Sequence, residues 1–386
     1  MNFSLDDDQR MLKDTVDRLV ARDYGFEQRK AYAKSPDGWS RAMWARMAEI
    51  GLLALPFPSA HGGLDGGPIE TMLVMESLGR AMVLEPLLST TVIGAAALTA
   101  ARAEQLERWV PAIAAGELTL AWAHSELQSR YRLSSVACSA RRTDAGFVLD
   151  GVKSLVLHGD SADKLLISAR VDGRRSEHDG IALFMVDGGT PGVTRRACRT
   201  HDGLRAAVVT LAGVEVQASD VIGEPGAALP VIERVAEAAI AAMAAEAVGV
   251  MSAALDMTVE YLKTRQQFGG PIGRFQALQH RAAEMLIATE QARSMAMYAA
   301  LMLGEPDAAE RRKALSAVKV QVGNSARFVG QQAIQLHGGI GVTDEYAVGH
   351  YFKRLTMIET RFGDTDHHLA EFARAGGFIA PQPAAA

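Results

Sequence analysis

The chain runs to 386 residues, too long for a single hydrophobic core, so two or three domains are expected. Hydrophobic residues make up 48% and charged residues 22%, which excludes global disorder, and the net charge of −5 excludes general binding to a nucleic-acid backbone, which needs a basic face. Cys138 and Cys198 stand far apart without a C-x-x-C, which fits a reducing compartment and neither a disulfide nor a metal site.

Met1-Asn-Phe-Ser-Leu-Asp-Asp-Asp is acidic where a signal peptide needs a basic start and an apolar run. Ser4-Leu-Asp-Asp7 predicts a helix cap, followed by Leu12, Val16, Leu19 and Val20 at helical spacing. A second helix spans Trp39 to Ile50 and stops at Gly51. Gly62-Gly63-Leu-Asp-Gly66-Gly67-Pro68 is rich enough in glycine for a phosphate loop, but no Lys-Ser/Thr follows it; Pro68 suits the first turn of the next helix, so a connecting loop is expected. Helices continue through Trp109-Val-Pro-Ala-Ile113 to Gly116.

The pattern then changes. Leu118-Thr-Leu-Ala-Trp-Ala, Ser135-Val-Ala-Cys-Ser-Ala, Gly146-Phe-Val-Leu-Asp-Gly151, Leu165-Leu-Ile-Ser, Ile181-Ala-Leu-Phe-Met and Ala207-Val-Val-Thr-Leu are short runs bounded by Gly, Asp and Pro, which predicts antiparallel strands. From Pro230 a helical period returns and lasts to about Phe378, with Phe275, Leu278, Ala282, Met285, Leu286 and Thr289 forming a packing stripe. The apolar run Ala238 to Ala245 is bounded by Glu237 and Glu246 and is too short to span a bilayer, so the expected location is the cytoplasm. The predicted fold is mainly α with a central β-domain: an N-terminal helical domain (1–117), a middle antiparallel β-domain (118–222) and a C-terminal helical domain (223–386), with a frayed tail from Pro381.

Two stretches carry the chemistry. In Tyr261-Leu-Lys-Thr-Arg265-Gln-Gln-Phe268-Gly269-Gly-Pro271-Ile272-Gly-Arg-Phe275-Gln276, Tyr261 and Arg265 share a helix face near its end. Arg265 offers a bidentate fork and Phe268 a flat apolar surface beside it. A pyrophosphate with an attached ring system fits those groups; a surface ion pair at a helix stop is the other reading. In Gln335-Leu-His-Gly338-Gly339-Ile-Gly341 glycines again end a helix. No G-x-G-x-x-G follows a strand, so this is no Rossmann loop.

Tyr261-x3-Arg265-x-x-Phe268-Gly269-x-Pro271-Ile272-x-x-Phe275-Gln276 and Gln335-x-x-Gly338-Gly339-x-Gly341 resemble the two signatures of the acyl-CoA dehydrogenase family, and the α–β–α order is similar over nearly the whole chain. Arg41-Ala-Met-Trp-Ala-Arg46, Leu157-His-Gly-Asp-Ser-Ala162 and Gly349-His-Tyr-Phe-Lys-Arg-Leu-Thr-Met357 bring it nearest to the small subunit of pimeloyl-CoA dehydrogenase. The resemblance implies FAD held between subunits. Arg265 and Phe268 would meet the pyrophosphate and adenosine half of a neighbour's flavin, Gln335, Gly338 and Gly339 would line that half, and Gln276 would support the surface. The implied reaction takes an α-proton and a β-hydride from an acyl-CoA, leaving a trans-2-enoyl-CoA, with electrons passing to an electron-transfer flavoprotein.

The chain departs from the family at its own site. The family's basic glutamate falls on Phe362, with Gly363 and Asp364 completing the turn. The alternative position on the long helix is Ala239, with Glu237 off that face. The family's Thr-Glu-Pro strip is here Ser125-Glu126-Leu127 followed by Ser129-Arg130-Tyr131-Arg132. Lys153 and Gly159 persist, but Leu157-His158 replace a hydroxyl and an amide, and Lys353-Arg354 replaces an Arg-Asp pair. Arg130 and Arg132 alternate on an expected extended segment and face one way, toward a CoA phosphate or a substrate carboxylate, or into solvent. Asp364-Thr-Asp366-His367-His368 offers residue types that ligate metals, but its adjacent histidines point to different sides of a helix and no further ligand has suitable spacing, so no metal is expected and Asp364 or Thr365 reads as a cap. Three functions are compatible: a heteromeric acyl-CoA dehydrogenase subunit for a medium-chain or dicarboxylic acyl-CoA, whose partner carries the glutamate; a self-sufficient homo-oligomer with Asp364 as relocated base; and a non-catalytic acyl-CoA- or partner-binding subunit.

Overall fold

The computed structural model describes residues 5–377, so the cap expected at Ser4, the helix end near Phe378 and the tail from Pro381 lie outside the described residues. The chain packs as two compact units. One comprises the chain up to Arg29, Pro68–Val83 and everything from Ile240 onward; the other comprises Lys30–Gly67 and Leu84–Ala239.

Helices α1 (Asp7–Asp23), α2 (Phe26–Tyr32), α3 (Arg41–Glu49) and α4 (Pro68–Ala81) come first. Asp6 caps α1: its carboxylate accepts the Gln9 N–H at 2.8 Å while the Gln9 side chain accepts the Asp6 N–H at 3.2 Å, satisfying two orphan donors reciprocally. Val16, Leu19 and Val20 are buried, as the spacing predicts. The Ser40 hydroxyl caps α3 by accepting the Met43 N–H at 3.2 Å, and Gly51 at φ +80 ends it. The Gly62–Gly67 stretch is a loop and Pro68 opens α4, where its missing N–H is harmless. A π-helical turn (Leu88–Ile93), α5 (Gly94–Leu98) and α6 (Ala103–Ala114) follow.

The second unit is built on one eight-stranded sheet. Its strands are β1 (Leu120–Ala123), β2 (Ser139–Arg142), β3 (Gly146–Leu157), β4 (Lys164–Arg170), β5 (Ile181–Asp187), β6 (Val193–Arg199), β7 (Arg205–Gln217) and β8 (Val221–Gly226). The order is β6-β7-β3-β2-β4-β5-β8, with β1 also on β4. The sheet is mixed where an antiparallel one is expected: β1 runs parallel to β4 (Leu120↔Lys164 to Ala123↔Ile167), and β2 meets β4 in parallel at Ser139↔Arg170. The turns after β1 carry the chain along β4 without reversing it. Those turns also shorten the strand expected over Ser135–Ala140, because the Ala137 and Cys138 N–H groups donate to the Glu126 carboxylate and the Val136 carbonyl accepts from Arg170. In β4 and β5 nearly every residue is buried, as sheets covered on both faces require.

The first unit is organised by α7 (Leu229–Thr264), which enters it at Ile240. By length and composition α7 could cross a membrane, but 89% of its most apolar window is buried, so it is a core helix. Its backbone meets that of α4: a Cβ on Gly249 would lie 1.9 Å from the Glu76 carbonyl oxygen, and one on Gly79 would lie 2.2 Å from that of Glu246. A hairpin of β9 (Gln266–Gln267) and β10 (Gly270–Pro271) leads to α8 (Gln276–Met302), α9 (Ala308–His337), α10 (Ala347–Thr360) and α11 (Thr365–Arg374). The predicted α8 stripe is only partly covered. Met285 and Thr289 are buried, whereas Phe275 is 37% and Leu286 50% exposed, beside Ile287 at 57%. The stripe has apolar surface to spare for something other than this unit's core.

Candidate functional site

The two signature stretches, about seventy residues apart, meet in space. The Tyr261 ring near the end of α7 stacks on His337 at 4.6 Å, and Tyr346 covers His337 from another side at 5.3 Å. His337 is buried, its Nδ1 bonded to the Ala333 carbonyl at 2.7 Å, and burial holds its imidazole below the ordinary range. Arg265 follows Tyr261 by four residues and Gly338 follows His337 directly, so the stack brings the two stretches together. Tyr261 and Tyr346 also border an open cleft of about 530 Å³.

Arg265 is the first residue beyond α7. It is exposed, and its guanidinium has no hydrogen-bond partner among the described residues. Phe268 occupies the hairpin tip with 79% of its surface exposed. Gln276 opens α8, and Gln335 lies in the last turns of α9; both side chains are exposed. Gly338 ends α9 at φ +62, a left-handed position that only glycine adopts without strain. Gly339 has no such φ, and a Cβ there would meet nothing within 4 Å. This chain's own packing therefore does not demand glycine at 339, whereas a group approaching from outside would. An exposed cation, an exposed ring and an uncluttered glycine backbone fit the diphosphate half of a dinucleotide whose remainder is held elsewhere.

The expected base turn is well built but lacks a base. Phe362 (φ +54) and Gly363 (φ +111) form a tight bend between α10 and α11. Buried Lys319 donates to the carbonyls of Ile358, Glu359 and Arg361 at 2.9, 2.9 and 2.8 Å, capping the end of α10; burial pushes its ammonium down to about 7. Glu359 accepts the Thr365 N–H at 3.0 Å and its hydroxyl at 2.8 Å. His368 bonds the Phe362 carbonyl at 2.9 Å and Ser316 at 3.2 Å, and burial pushes it down to about 4. Both its ring nitrogens are thus taken by protein atoms. Asp364 caps α11, accepting the His367 N–H at 2.8 Å. A carboxylate so engaged is a cap first.

Ala239 is fully buried on α7, and Glu237, also buried, pairs with Arg234 at 3.4 Å. Arg130 and Arg132 do not lie on an extended segment. They sit in a run of turns, Arg130 at φ +48 with its guanidinium 5.5 Å above the Tyr131 ring, so the expected alternation toward one face is absent; both are exposed. The turns arise because Glu126 folds back to accept the Ala137 and Cys138 amides at 2.8 and 3.1 Å.

Sequence reasoning missed two buried ion pairs. Lys153 is wholly buried and donates to Glu126 at 2.7 Å, to Ser168 at 3.1 Å and to the His124 carbonyl at 3.2 Å. Burial, reinforced by Lys153, drives the His124 imidazole down to about 3. Arg354, which looks like an uncompensated charge reversal in sequence, makes a bidentate pair with Glu246 at 2.7 Å for both contacts, with both side chains buried. The only visible hints were Glu246 interrupting an apolar helix and Lys153 inside a strand.

Comparison with known proteins fits this geometry. Three family models match in succession: acyl-CoA dehydrogenase N-terminal domain over residues 6–117, middle domain over 121–215 and C-terminal domain over 230–377. The acryloyl-CoA reductase (NADH) of Anaerotignum propionicum is 27% identical over 97% of this chain and 95% of its own, and acyl-CoA dehydrogenase FadE12 of Mycobacterium tuberculosis is 29% identical over 90% of each. Among solved structures, the ChsE4–ChsE5 complex from Mycobacterium tuberculosis superposes with a TM-score of 0.87 at 25% identity, covering 100% of both chains. The three matches together span nearly all of the sequence, and the chain belongs to the acyl-CoA dehydrogenase family, as an FAD-dependent acyl-CoA oxidoreductase.

Proposed function

We propose that this chain is one subunit of a heteromeric acyl-CoA dehydrogenase acting on a medium-chain or dicarboxylic acyl-CoA such as pimeloyl-CoA, and that a partner chain supplies the catalytic glutamate. The observation that carries this is the contrast within one unit: Arg265, Phe268, Gly338 and Gly339 present an open diphosphate half-site, while the base turn holds Phe362. FAD, when bound, accepts the hydride lost from the β-carbon. This chain's part is to grip the distal half of a flavin seated in its partner, with Arg265 on the diphosphate, Phe268 and Gln276 beside it, and Gln335, Gly338 and Gly339 leaving room for it. The domain boundaries at 117 and 222, an electron-transfer flavoprotein as acceptor and a cytoplasmic location belong to the same reading.

One further fact favours it over a self-sufficient enzyme: Asp364 is committed as the cap of α11. The half-exposed α8 stripe offers apolar surface for a second chain under either reading. The ChsE4–ChsE5 assembly, a complex of two named chains, lends support by its likeness. The test is native mass spectrometry of the co-purified assembly with flavin quantified by absorbance. The expected result is a heterodimer or α2β2 tetramer with one FAD per pair of chains. One FAD per chain, or thioester dehydrogenation by this chain alone, would overturn the proposal.

A further inference from the structure

The hairpin tip has a backbone that its sequence resists. Gln267 pairs with Gly270 and Gln266 with Pro271, leaving a two-residue loop, Phe268-Gly269, at φ +56 and +83. Positive φ at both central residues defines a type I′ turn, which favours Asn-Gly; a bulky aromatic at its first position is strained. Strain of that kind persists only where the surroundings impose it. Among the described residues, the side-chain hydrogen bonds to this turn come from Arg274. Arg274, in the short 3₁₀ turn Ile272–Arg274, reaches back six residues and donates to the Phe268 carbonyl and, at 3.3 Å, to the Gly269 carbonyl. Its guanidinium lies 5.2 Å over the Phe275 ring, and that ring meets Phe268 edge-on at 6.0 Å. A Cβ on Gly270 would come within 3.0 Å of an Arg274 nitrogen, so the glycine leaves space for the clip. Ile272 closes the loop base by donating to the Arg265 carbonyl at 2.9 Å, so the clipped loop and Arg265 form one rigid piece. Gly273 in turn sits against the end of α7, where a Cβ would lie 2.8 Å from the Leu262 carbonyl oxygen.

We infer that Arg274 is a positioning residue for the flavin half-site: it clips the strained Phe268-Gly269 turn and so aims the Phe268 ring and the Arg265 guanidinium. It acts through the two loop carbonyls rather than as the diphosphate ligand. This rests on the assignment of the half-site above, and the experiment separates the two. Arg265→Ala, Arg274→Ala and Arg274→Lys are prepared in the full chain within the assembly in which it purifies. FAD affinity is measured by flavin fluorescence after deflavination, and amide hydrogen exchange is followed over residues 265–272. Arg274→Ala should weaken FAD about tenfold and speed hairpin exchange at least tenfold with α9 unchanged. Arg274→Lys should rescue only part of either, since a point charge cannot bridge two carbonyls in fixed geometry. Arg265→Ala should weaken FAD at least a hundredfold with normal hairpin exchange. In Phe268→Asn/Arg274→Ala, a turn-compatible residue should restore slow exchange. If Arg274→Ala leaves hairpin exchange unchanged, the clip is refuted whatever happens to FAD. If exchange quickens but FAD affinity holds while Arg265→Ala abolishes it, the positioning role is refuted. If Arg265→Ala itself retains FAD, it is the half-site assignment that fails.

Discussion

The proposed flavin half-site and the expected base turn lie in the same unit and are held with equal care, yet the first presents a cation and a ring outward while the second holds a phenylalanine. At the hairpin, strain at Phe268 is tolerated to present a ring and a cation outward. At the base turn, Lys319, Glu359 and His368 fix a bend of comparable tightness, and what it presents is a phenyl ring that can take no proton. Scaffold and chemistry are therefore separable. The bend persists because α10 and α11 need a cap at each side of it, which is a folding requirement independent of catalysis.

The largest expected effect tests the buried pair that ties α10, the helix leading into the base turn, to α7. Arg354→Ala strands Glu246 in a buried site and should cost about 3–5 kcal/mol of stability, read as a lowered urea midpoint. A loss under about 1 kcal/mol would mean that the pair is dispensable and the comparison is drawn at the wrong place. A somewhat smaller effect comes from acid. His368, facing the Phe362 carbonyl, Ser316, Lys319, His367 and Asp364, stays neutral in the fold down to about 4 but takes a proton below about 6.5 when unfolded. The stability it contributes is complete above pH 6.5 and is lost as pH falls toward 4, amounting to roughly 3 kcal/mol. In His368→Gln the urea midpoint should change less between pH 7 and 4 than in the parent, and equal slopes would reject the assignment. The smallest effect sharpens the contrast most. Asp364→Asn should cost at most about 1 kcal/mol, since asparagine caps nearly as well, and should change turnover of the assembly less than about threefold. A fall of about 10²–10⁴ would make Asp364 the base and return the site to this chain.

What was legible in the sequence is what is enforced locally. Gly338 at the end of α9, like Gly51, Gly116 and Pro68, marked a helix end by its own turn chemistry, whereas the Arg265–Phe268–Gly269 string stood out only by its resemblance to a family signature, since its turn is one that Phe268 disfavours. What depends on distant partners stayed hidden. Arg354 looked like an eroded charge because Glu246 is 108 residues away, and the direction of β1 could not be read because its partner β4 lies 44 residues on. Strand β6, Val-Thr-Arg-Arg-Ala-Cys-Arg, escaped notice because an exposed strand needs no apolar alternation, and β8 because Gly-Glu-Pro-Gly reads as a turn. The segment with Arg130 was misread as extended since the carboxylate that folds it, Glu126, sits within the misread stretch and acts on residues 11 and 12 positions beyond it.

The seam of glycines between α4 and α7 has a consequence for synthesis. Gly79 and Gly249 touch each other's helices but are separated by 170 residues of chain, most of which belongs to the other unit. At about 5–20 residues per second, α4 emerges from the ribosome about 10–30 s before its partner. During that interval the backbone of α4 at Glu76 and Gly79 has no α7 against it. The sheet-bearing unit is completed in the meantime. Birth order therefore favours the sheet forming first and the helical unit closing after translation.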